Sequence, residues 1–253
     1  MASVDVVIPV LNEEKVLERS VRALHHFLTE QIHQEWRIIV ADNGSTDQTL
    51  EIAKRLTAEL PGVQADHIPE AGRGRALSRT WLASEADVVA YMDVDLSTGL
   101  EAFPRLLTPI LEGRADVAAG SRLSRGAETT RSLKREVLSR GFVFLINLLF
   151  RAHLEDTQCG FKALSKACAR KLLPFVEDKG WFWDTELLLL AAKGGWRAVF
   201  VPVRWVEDTD SRVKVLSTVL KDIKGLARMR GFDWSKARKP SRPISAASDI
   251  ASR

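Results

Sequence analysis

The chain has 253 residues, of which 45% are hydrophobic and 28% charged, and this composition excludes a disordered or fibrous protein. Its two cysteines, Cys159 and Cys168, form no CxxC pair, which argues against a disulfide framework or a cysteine zinc site and fits a reducing compartment. The net charge is +4, and residues 212–253 hold 11 lysines and arginines against three aspartates. No RNA- or DNA-reading pattern accompanies this basic end, so we expect no nucleic-acid partner.

Strand and helix patterns alternate through the first half of the chain. Strands are predicted over 4–10, 37–41, 64–68, 88–93 and 116–119. Helices are predicted between them, over 13–29, 47–60, 75–84 and 100–112. This order predicts an α/β fold in which a mostly parallel, twisted sheet lies between helices, as three α/β/α layers.

The second half is less regular and ends in a polar segment. Further helices are predicted over 134–151, 165–173, 184–193 and 213–230, with a strand over 198–203. Residues 232–253 are rich in Ser, Pro, Lys and Arg, which is typical of a disordered tail.

Polar side chains follow the predicted strands at the edge where parallel sheets bind ligands. Glu13 follows the first strand, Asp42 ends the second, and Asp93 and Asp95 follow the fourth. Asp93 and Asp95 point to the same face, because side chains alternate along a strand. Two carboxylates there need a positive partner, and their hard oxygens suit Mg²⁺ or Mn²⁺ with phosphate and water as further ligands.

A purely structural interpretation explains part of this pattern. Glu13 lies in a predicted first helical turn, where the helix dipole stabilises acidic residues. The same holds for Asp184 and Glu186. Asp42 precedes any capping position and is therefore free to accept hydrogen bonds from a base ring. Asp156 is either a cap or turn residue or part of a binding pocket.

Several segments, taken together, resemble the family 2 glycosyltransferases of GT-A fold. These segments are 7–14, 41–49, 72–77 and 93–97. Further motifs are similar to those of dolichyl- and polyprenyl-phosphate sugar synthases, in consistent order, at 120–122, 133–141, 156–162, 183–186 and 210–214. The resemblance covers roughly residues 4 to 230.

The resemblance implies roles for individual residues. It assigns binding of the nucleotide sugar to Pro9, Leu11, Glu13, Asp42, Arg73, Asp93 and Arg212. It assigns binding of the metal, Mg²⁺ or Mn²⁺, to Asp93 and Asp95. It assigns a catalytic role in the transfer step to Asp95, Arg122, Arg135, Asp184 and Glu186. Arg73 stands where the family usually has lysine, and Arg122, Arg135 and Arg212 match positions that bind phosphate. Ser97 stands where some mannosyl-phosphate synthases have glutamine, which favours a UDP-sugar over GDP-mannose.

The implied activity is metal-dependent, inverting transfer of a sugar from a nucleotide sugar to a polyprenyl or dolichyl phosphate. Residues 1–231 would form the catalytic domain, with a nucleotide-sugar half over about 1–123 and an acceptor half over about 124–231. Two alternatives stay open. Transfer to a soluble hydroxyl acceptor needs a general base, for which Asp184 and Glu186 are candidates. A non-catalytic nucleotide-sugar-binding or membrane-adaptor module is the other.

Two predicted helices combine apolar stripes with basic residues. The stripes in 134–150 and 213–230 fit either helices lying on anionic lipid or helices packed on the domain. No signal-peptide pattern opens the chain, and the longest apolar run is too short to span a bilayer. We therefore expect a cytoplasmic protein peripherally bound to the inner face of the membrane, with a membrane protein or a second copy as candidate partners.

Overall fold

The structure is a computed structural model that describes residues 2–206 and 215–240. The strands are β1 Ser3–Val10, β2 Glu35–Asp42, β3 Val63–His67, β4 Val88–Met92, β5 Val117–Ser121, β6 Glu128–Thr130, β7 Phe161–Ser165, β8 Ala198–Pro202 and β9 Arg204–Val206. The helices are α1 Leu17–Gln31, α2 Thr49–Glu59, α3 Arg73–Ala83, α4 Phe103–Leu111, α5 Leu133–Phe150, α6 Lys166–Leu172, α7 Trp183–Lys193 and α8 Val215–Arg230.

Seven strands form one mixed sheet in the order β3-β2-β1-β4-β7-β5-β8. Every pairing in it is parallel except those of β7, which runs antiparallel to both β4 and β5. A small second sheet pairs β6 with β9. The prediction of a mostly parallel sheet flanked by helices is confirmed.

Alternating residues of the central strands supply two hydrophobic cores, one on each face of the sheet. Val7 packs with α3, α6 and α7 on one face, while Val6 and Ile8 pack with α1, α2 and α4 on the other. Both faces are therefore covered, which explains why β4 is entirely apolar and buried along its length. The strand ends that carry the polar residues lie at the rim of this buried sheet.

The sequence patterns did not predict β6, β7 or β9. The central strand β7 lies between β4 and β5, so a strand of the predicted acceptor half is inserted among strands of the nucleotide-sugar half. The two halves consequently share one sheet. The first helix begins at Leu17 rather than at residue 13, after a turn in which Leu17 N–H donates to Glu13 O.

The first residues of the predicted tail pack on the domain. Trp234 stacks edge-on against Phe232, and Trp196 Nε1 donates to Ala237 O at 2.9 Å. Lys239 Nζ reaches Asp116 Oδ2 at 2.6 Å. Disorder was therefore the wrong prediction for residues 232–240, because aromatic burial fixes them, and residues 241–253 lie outside the described residues.

The predicted C-terminal helix is present as α8. Its Leu226 and Met229 are buried in the domain, whereas Ile223 is 53% exposed. An interfacial role for α8 stays a prediction. None of the helices within residues 2–206 and 215–240 is long and apolar enough to cross a membrane.

Candidate active site

The loops that follow β1 and β2 are joined into one floor at the rim of the sheet. Asn43 Nδ2 donates to Val10 O at 2.6 Å, and Asn12 N donates to Ser45 Oγ at 2.9 Å. Asn12 adopts a left-handed conformation with φ of 56°, which lets its Oδ1 accept from Thr46 N at 2.8 Å. These reciprocal bonds hold the two loops together.

Four predicted nucleotide-binding residues lie on or beside this floor. Pro9 is buried in β1, Leu11 is 39% exposed, and Glu13 N donates to Thr49 Oγ1. Asp42 is fully buried, and its Oδ2 lies 2.7 Å from His67 Nδ1. The imidazole of His67, 44% exposed, is therefore the group that faces solvent at this position.

Arg73, Asp93 and Asp184 meet at the centre of the rim. Arg73 Nη1 donates to Asp184 Oδ2 at 2.6 Å, and Nη2 donates to Asp93 Oδ1 at 3.1 Å. The guanidinium also lies 4.9 Å from the Tyr91 ring and 5.0 Å from the Trp181 ring. The structure thus brings together three residues that are 20 and 91 positions apart in the chain.

A buried lysine and a tyrosine complete this charge network. Lys162 is fully buried, with Nζ 2.8 Å from Asp184 Oδ1 and 2.5 Å from Cys159 O. Tyr91 OH also donates to Asp184 Oδ1, and Tyr91 is the cross-strand partner of Lys162 in the β4–β7 register. Burial alone would raise the pKa of Asp184, but Lys162 and Arg73 hold it below its ordinary value. Asp184 is therefore an ionised acceptor fixed on both oxygens.

Asp93 and Asp95 have the chemistry of a divalent-metal site. Asp93 N donates to Gly160 O at 3.1 Å, and a Cβ on Gly160 would lie 1.7 Å from Asp93 Oδ2, so only glycine leaves room for that carboxylate. Asp95 Oδ1 accepts from Ser97 N at 2.9 Å. Burial raises the pKa of Asp93, with Asp95 and Asp184 acting in the same direction against Arg73.

These two carboxylates fit Mg²⁺ or Mn²⁺. The Asp93 side chain is 39% exposed, so a cation can reach it from solvent. Within the described part of the chain, no group of three or more His, Cys, Asp or Glu residues is arranged to hold a metal. Two protein carboxylates leave the remaining positions to phosphate and water, which is how Mg²⁺ is usually bound.

Arg122 forms a bidentate ion pair rather than facing solvent. Its Nε donates to Asp156 Oδ2 at 2.8 Å and its Nη2 donates to Asp156 Oδ1 at 2.9 Å. Burial raises the pKa of Asp156, yet Arg122 overcomes this and keeps it below the ordinary value. The Arg122 guanidinium also lies 5.5 Å from the Trp205 ring. The predicted phosphate-binding arginine is thus already paired with a buried carboxylate.

Two of the remaining predicted residues lie on helices, Arg135 on α5 and Glu186 on α7. Arg135 lies in the first turn of α5, and Arg212 lies outside the described residues. Glu186 is buried in α7, where its Oε2 accepts from Arg228 Nη2 and from Asp178 N, both at 2.8 Å. Burial raises the pKa of Glu186, and the hydrogen bonds from Asp178 and Arg228, which lower the pKa, do not offset this. Glu186 thereby ties α7 to α8 and to the preceding loop.

The sequence interpretation missed four residues of the rim: Tyr91, Lys162, Trp181 and His67. Tyr91 had a signal, since it lies two positions before Asp93 and therefore on the same face of the strand. Lys162 ends the family-like motif 156–162, but its contact with Asp184 was not foreseen because β7 was not predicted. His67 ends β3 opposite Asp42 in the strand register, which only the pairing of the two strands reveals.

Comparison with known proteins gives a consistent result. A profile of glycosyl transferase family 2 matches residues 5–173. The glycosyltransferase AglD of Haloferax volcanii is 37% identical over 86% of the chain, which spans only 35% of AglD. The dolichyl-phosphate beta-glucosyltransferase ALG5C of Trichomonas vaginalis is 30% identical over 94% of the chain and 75% of that protein.

The fold is also found among solved structures. Glucosyl-3-phosphoglycerate synthase from Mycobacterium tuberculosis, crystallised with Mn²⁺, UDP-glucose and phosphoglyceric acid, superposes with a TM-score of 0.65. The superposition covers 95% of this chain and 82% of that one, at 21% identity. At this identity the likeness establishes the fold alone.

Proposed function

This chain belongs to glycosyl transferase family 2, and we propose that it transfers one sugar from a nucleotide sugar to a polyprenyl phosphate. The observation that carries the proposal is the contact of Arg73 with Asp93, beside Asp95, at the rim of the sheet. A diphosphate is neutralised by a metal ion together with cationic side chains. A guanidinium beside two carboxylates that would hold a metal therefore suits a diphosphate. The similarity to dolichyl-phosphate beta-glucosyltransferases supports a lipid phosphate as acceptor and glucose as the sugar.

On the donor side, the joined loops after β1 and β2 would receive the nucleoside. Pro9, Leu11 and Glu13 would line one side, and Asp42 would act through His67, which it contacts at 2.7 Å. Asp93 and Asp95 would hold Mg²⁺ or Mn²⁺ against the diphosphate. The bound metal would neutralise the charge that builds on the departing nucleoside diphosphate. We favour UDP because Ser97 replaces the glutamine of some mannosyl-phosphate synthases.

Arg73 would bind the diphosphate beside the metal carboxylates. Its side chain is only 12% exposed, and Asp184 holds Nη1, so the guanidinium is positioned before substrate arrives. Such preorganised charge stabilises a leaving group without reorganisation during the reaction. Lys162 and Tyr91 act as positioning residues, because they fix Asp184 and thereby Arg73.

An anionic phosphate acceptor is consistent with the state of the acidic residues. A hydroxyl acceptor needs a general base, but Asp184 is saturated by Arg73, Lys162 and Tyr91 and has a lowered pKa. Glu186 is 1% exposed and held by Arg228. A phosphate needs no base, and in-line attack opposite the leaving group would invert the anomeric carbon. Arg122, Arg135 and Arg212 are the candidate clamps for it.

We place the reaction at an anionic membrane surface because α5 exposes a broad apolar face. Only three of its residues are buried, Val143, Ile146 and Phe150. Seven large apolar side chains of the helix are at least 39% exposed: Leu133, Val137, Leu138, Phe144, Leu145, Leu148 and Leu149. Lys134, Arg135 and Arg140 lie on the same helix. An apolar face with basic residues beside it fits the interface of an anionic bilayer.

The test is a donor screen with radiolabelled nucleotide sugars, short polyprenyl phosphate and Mg²⁺ or Mn²⁺. Label that enters the organic phase measures transfer to the lipid. Asp95→Asn is expected to abolish transfer, whereas Asp233→Asn, an exposed position after α8, serves as the matched control and retains it. Label transferred only to a water-soluble hydroxyl acceptor would contradict the proposal.

A further inference from the structure

A small cavity lies between the loop before α7 and the middle of α8. Its volume is about 220 Å³, and it is lined by Asp178, Gly180, Trp181, Phe182, Lys221 and Asp222. Pockets that enclose whole drug-sized ligands measure about 300–1,000 Å³. This cavity therefore suits one ring of a ligand rather than a complete nucleotide sugar.

The cavity lies next to the cluster around Arg73. Trp181, in its wall, lies 5.0 Å from the Arg73 guanidinium, which in turn contacts Asp93. Gln158, which bonds to Asp222, lies two residues before Gly160, whose carbonyl accepts from Asp93 N. Both walls of the cavity are thus connected to Asp93, one through Arg73 and the other through the segment from Gln158 to Gly160.

Asp222, one of the residues that line this cavity, has an oxygen without a hydrogen-bond partner in the part of the chain that the structure describes. The residue is 5% exposed, and its Oδ2 accepts from Gln158 Nε2 at 3.0 Å. Its Oδ1 is buried and has no hydrogen-bond partner among the described residues. A buried carboxylate oxygen without a partner is costly to the fold, and a ligand hydroxyl would satisfy it.

We infer that this cavity binds the transferred sugar and that Asp222 Oδ1 accepts a hydrogen bond from one of its hydroxyl groups. The inference rests on the proposed function, since it names the sugar subsite of the same reaction. A phosphate is the wrong ligand here, because Asp178 and Asp222 place two carboxylates against the single ammonium of Lys221. A neutral polyhydroxylated ring meets an acceptor in Asp222 and an aromatic surface in Trp181.

The electrostatics of Asp222 agree with this role. Burial raises its pKa to about 6, with Asp178 acting in the same direction and Gln158 opposing. At neutral pH the carboxylate is therefore mostly ionised, and it accepts a hydrogen bond more strongly than a neutral group does.

The experiment compares binding of sugar-bearing and sugar-free nucleotides by calorimetry in Mn²⁺. UDP-glucose and UDP are titrated into wild type, Asp222→Asn and Asp233→Asn, with GDP-mannose and GDP as the second pair. We expect Asp222→Asn to weaken the nucleotide sugar about tenfold or more, the effect of losing a hydrogen bond to a charged group. UDP should bind all three proteins equally. Equal weakening of UDP and UDP-glucose, or no weakening of either, would overturn the assignment.

Deoxy analogues of UDP-glucose identify the hydroxyl and distinguish binding from a structural effect. One of the 2-, 3-, 4- or 6-deoxy sugars should lose affinity for wild type but bind Asp222→Asn as UDP-glucose does. If the loss of affinity from Asp222→Asn and the loss from the missing hydroxyl simply add for all four analogues, direct contact is refuted. This holds even if the proposed transferase activity is found. Failure of wild type to bind any nucleotide sugar would instead refute the proposed function itself.

Discussion

Replacing Asp222 by asparagine is expected to stabilise the folded protein at neutral pH. Asp222 is buried, and its pKa is raised from 3.8 to about 6. A shift of about 2 units corresponds to about 3 kcal/mol between the protonation states, so the ionised carboxylate destabilises the fold by about that amount above pH 6. Asparagine keeps the shape and can still accept from Gln158, but it carries no charge.

The pH dependence follows from the direction of the shift. Between pH 4 and 6 the folded state binds more protons at Asp222 than the unfolded state, so wild-type stability falls as the pH rises. The stabilisation by Asp222→Asn should therefore be about 3 kcal/mol at pH 7.5, about half of that at pH 5 and small at pH 4. For a domain of this size, about 3 kcal/mol corresponds to about 6–12 °C in Tm.

Urea unfolding and thermal melts of both proteins from pH 4 to 7.5 measure this difference. Asp233→Asn is the control, because Asp233 is exposed and its bond to Ser235 lowers its pKa, so its replacement gives no gain at neutral pH. A gain for Asp222→Asn that is independent of pH, or a loss at pH 7.5, would refute the reasoning. A gain in stability with a loss of sugar affinity is the pattern expected of a binding residue.

Three further changes test the site and the membrane surface. Gly160→Ala should displace Asp93 and weaken Mn²⁺ binding in the presence of UDP, measured by water-proton relaxation, since its Cβ would overlap Oδ2. Lys162→Met should lower the free energy of unfolding by about 3–5 kcal/mol in urea, because it removes a buried partner of Asp184. Phe144→Glu should reduce sedimentation with anionic vesicles while Tm stays unchanged, since the side chain is 69% exposed.

Each of these changes has a matched control. Gly141→Ala lies in α5 with nothing near its added Cβ and should leave Mn²⁺ binding intact. Lys166→Met removes a partly exposed ion pair with Glu85 and should cost no more than about 1 kcal/mol. Leu82→Glu changes an exposed leucine outside α5 and should retain vesicle binding. If a control behaves like its test variant, the corresponding argument fails.

The class of fold and the edge that carries the site could be predicted from the sequence. Alternating strand and helix patterns require a covered, mostly parallel sheet, and the carboxyl ends of such strands lie at one rim. Asp42, Asp93 and Asp95 therefore had to lie near one another whatever the details of packing. The periodicity of two in β4 also put Asp93 on the same face as Tyr91.

The partners of these residues could not be predicted in the same way. A periodic pattern identifies the face on which a side chain lies, but not which distant segment packs against that face. β7 was overlooked because its sequence FKALS is short and continues into a helix. The contact of Lys162, in β7, with Asp184 was therefore overlooked as well. The phosphate-binding role of Arg122 stays a prediction, but its pairing with Asp156, 34 residues away, could not be read from the sequence.

The sequence by itself thus determined the sheet, its polar rim and the types of charged group placed there, because these follow from local periodicity and residue chemistry. Only the tertiary structure decided how the charges are paired. It joined Asp184 to Arg73 and Lys162, and it left one oxygen of Asp222 without a partner among the described residues. The physical reason is that pairing and desolvation depend on close approach between segments that lie far apart in the chain.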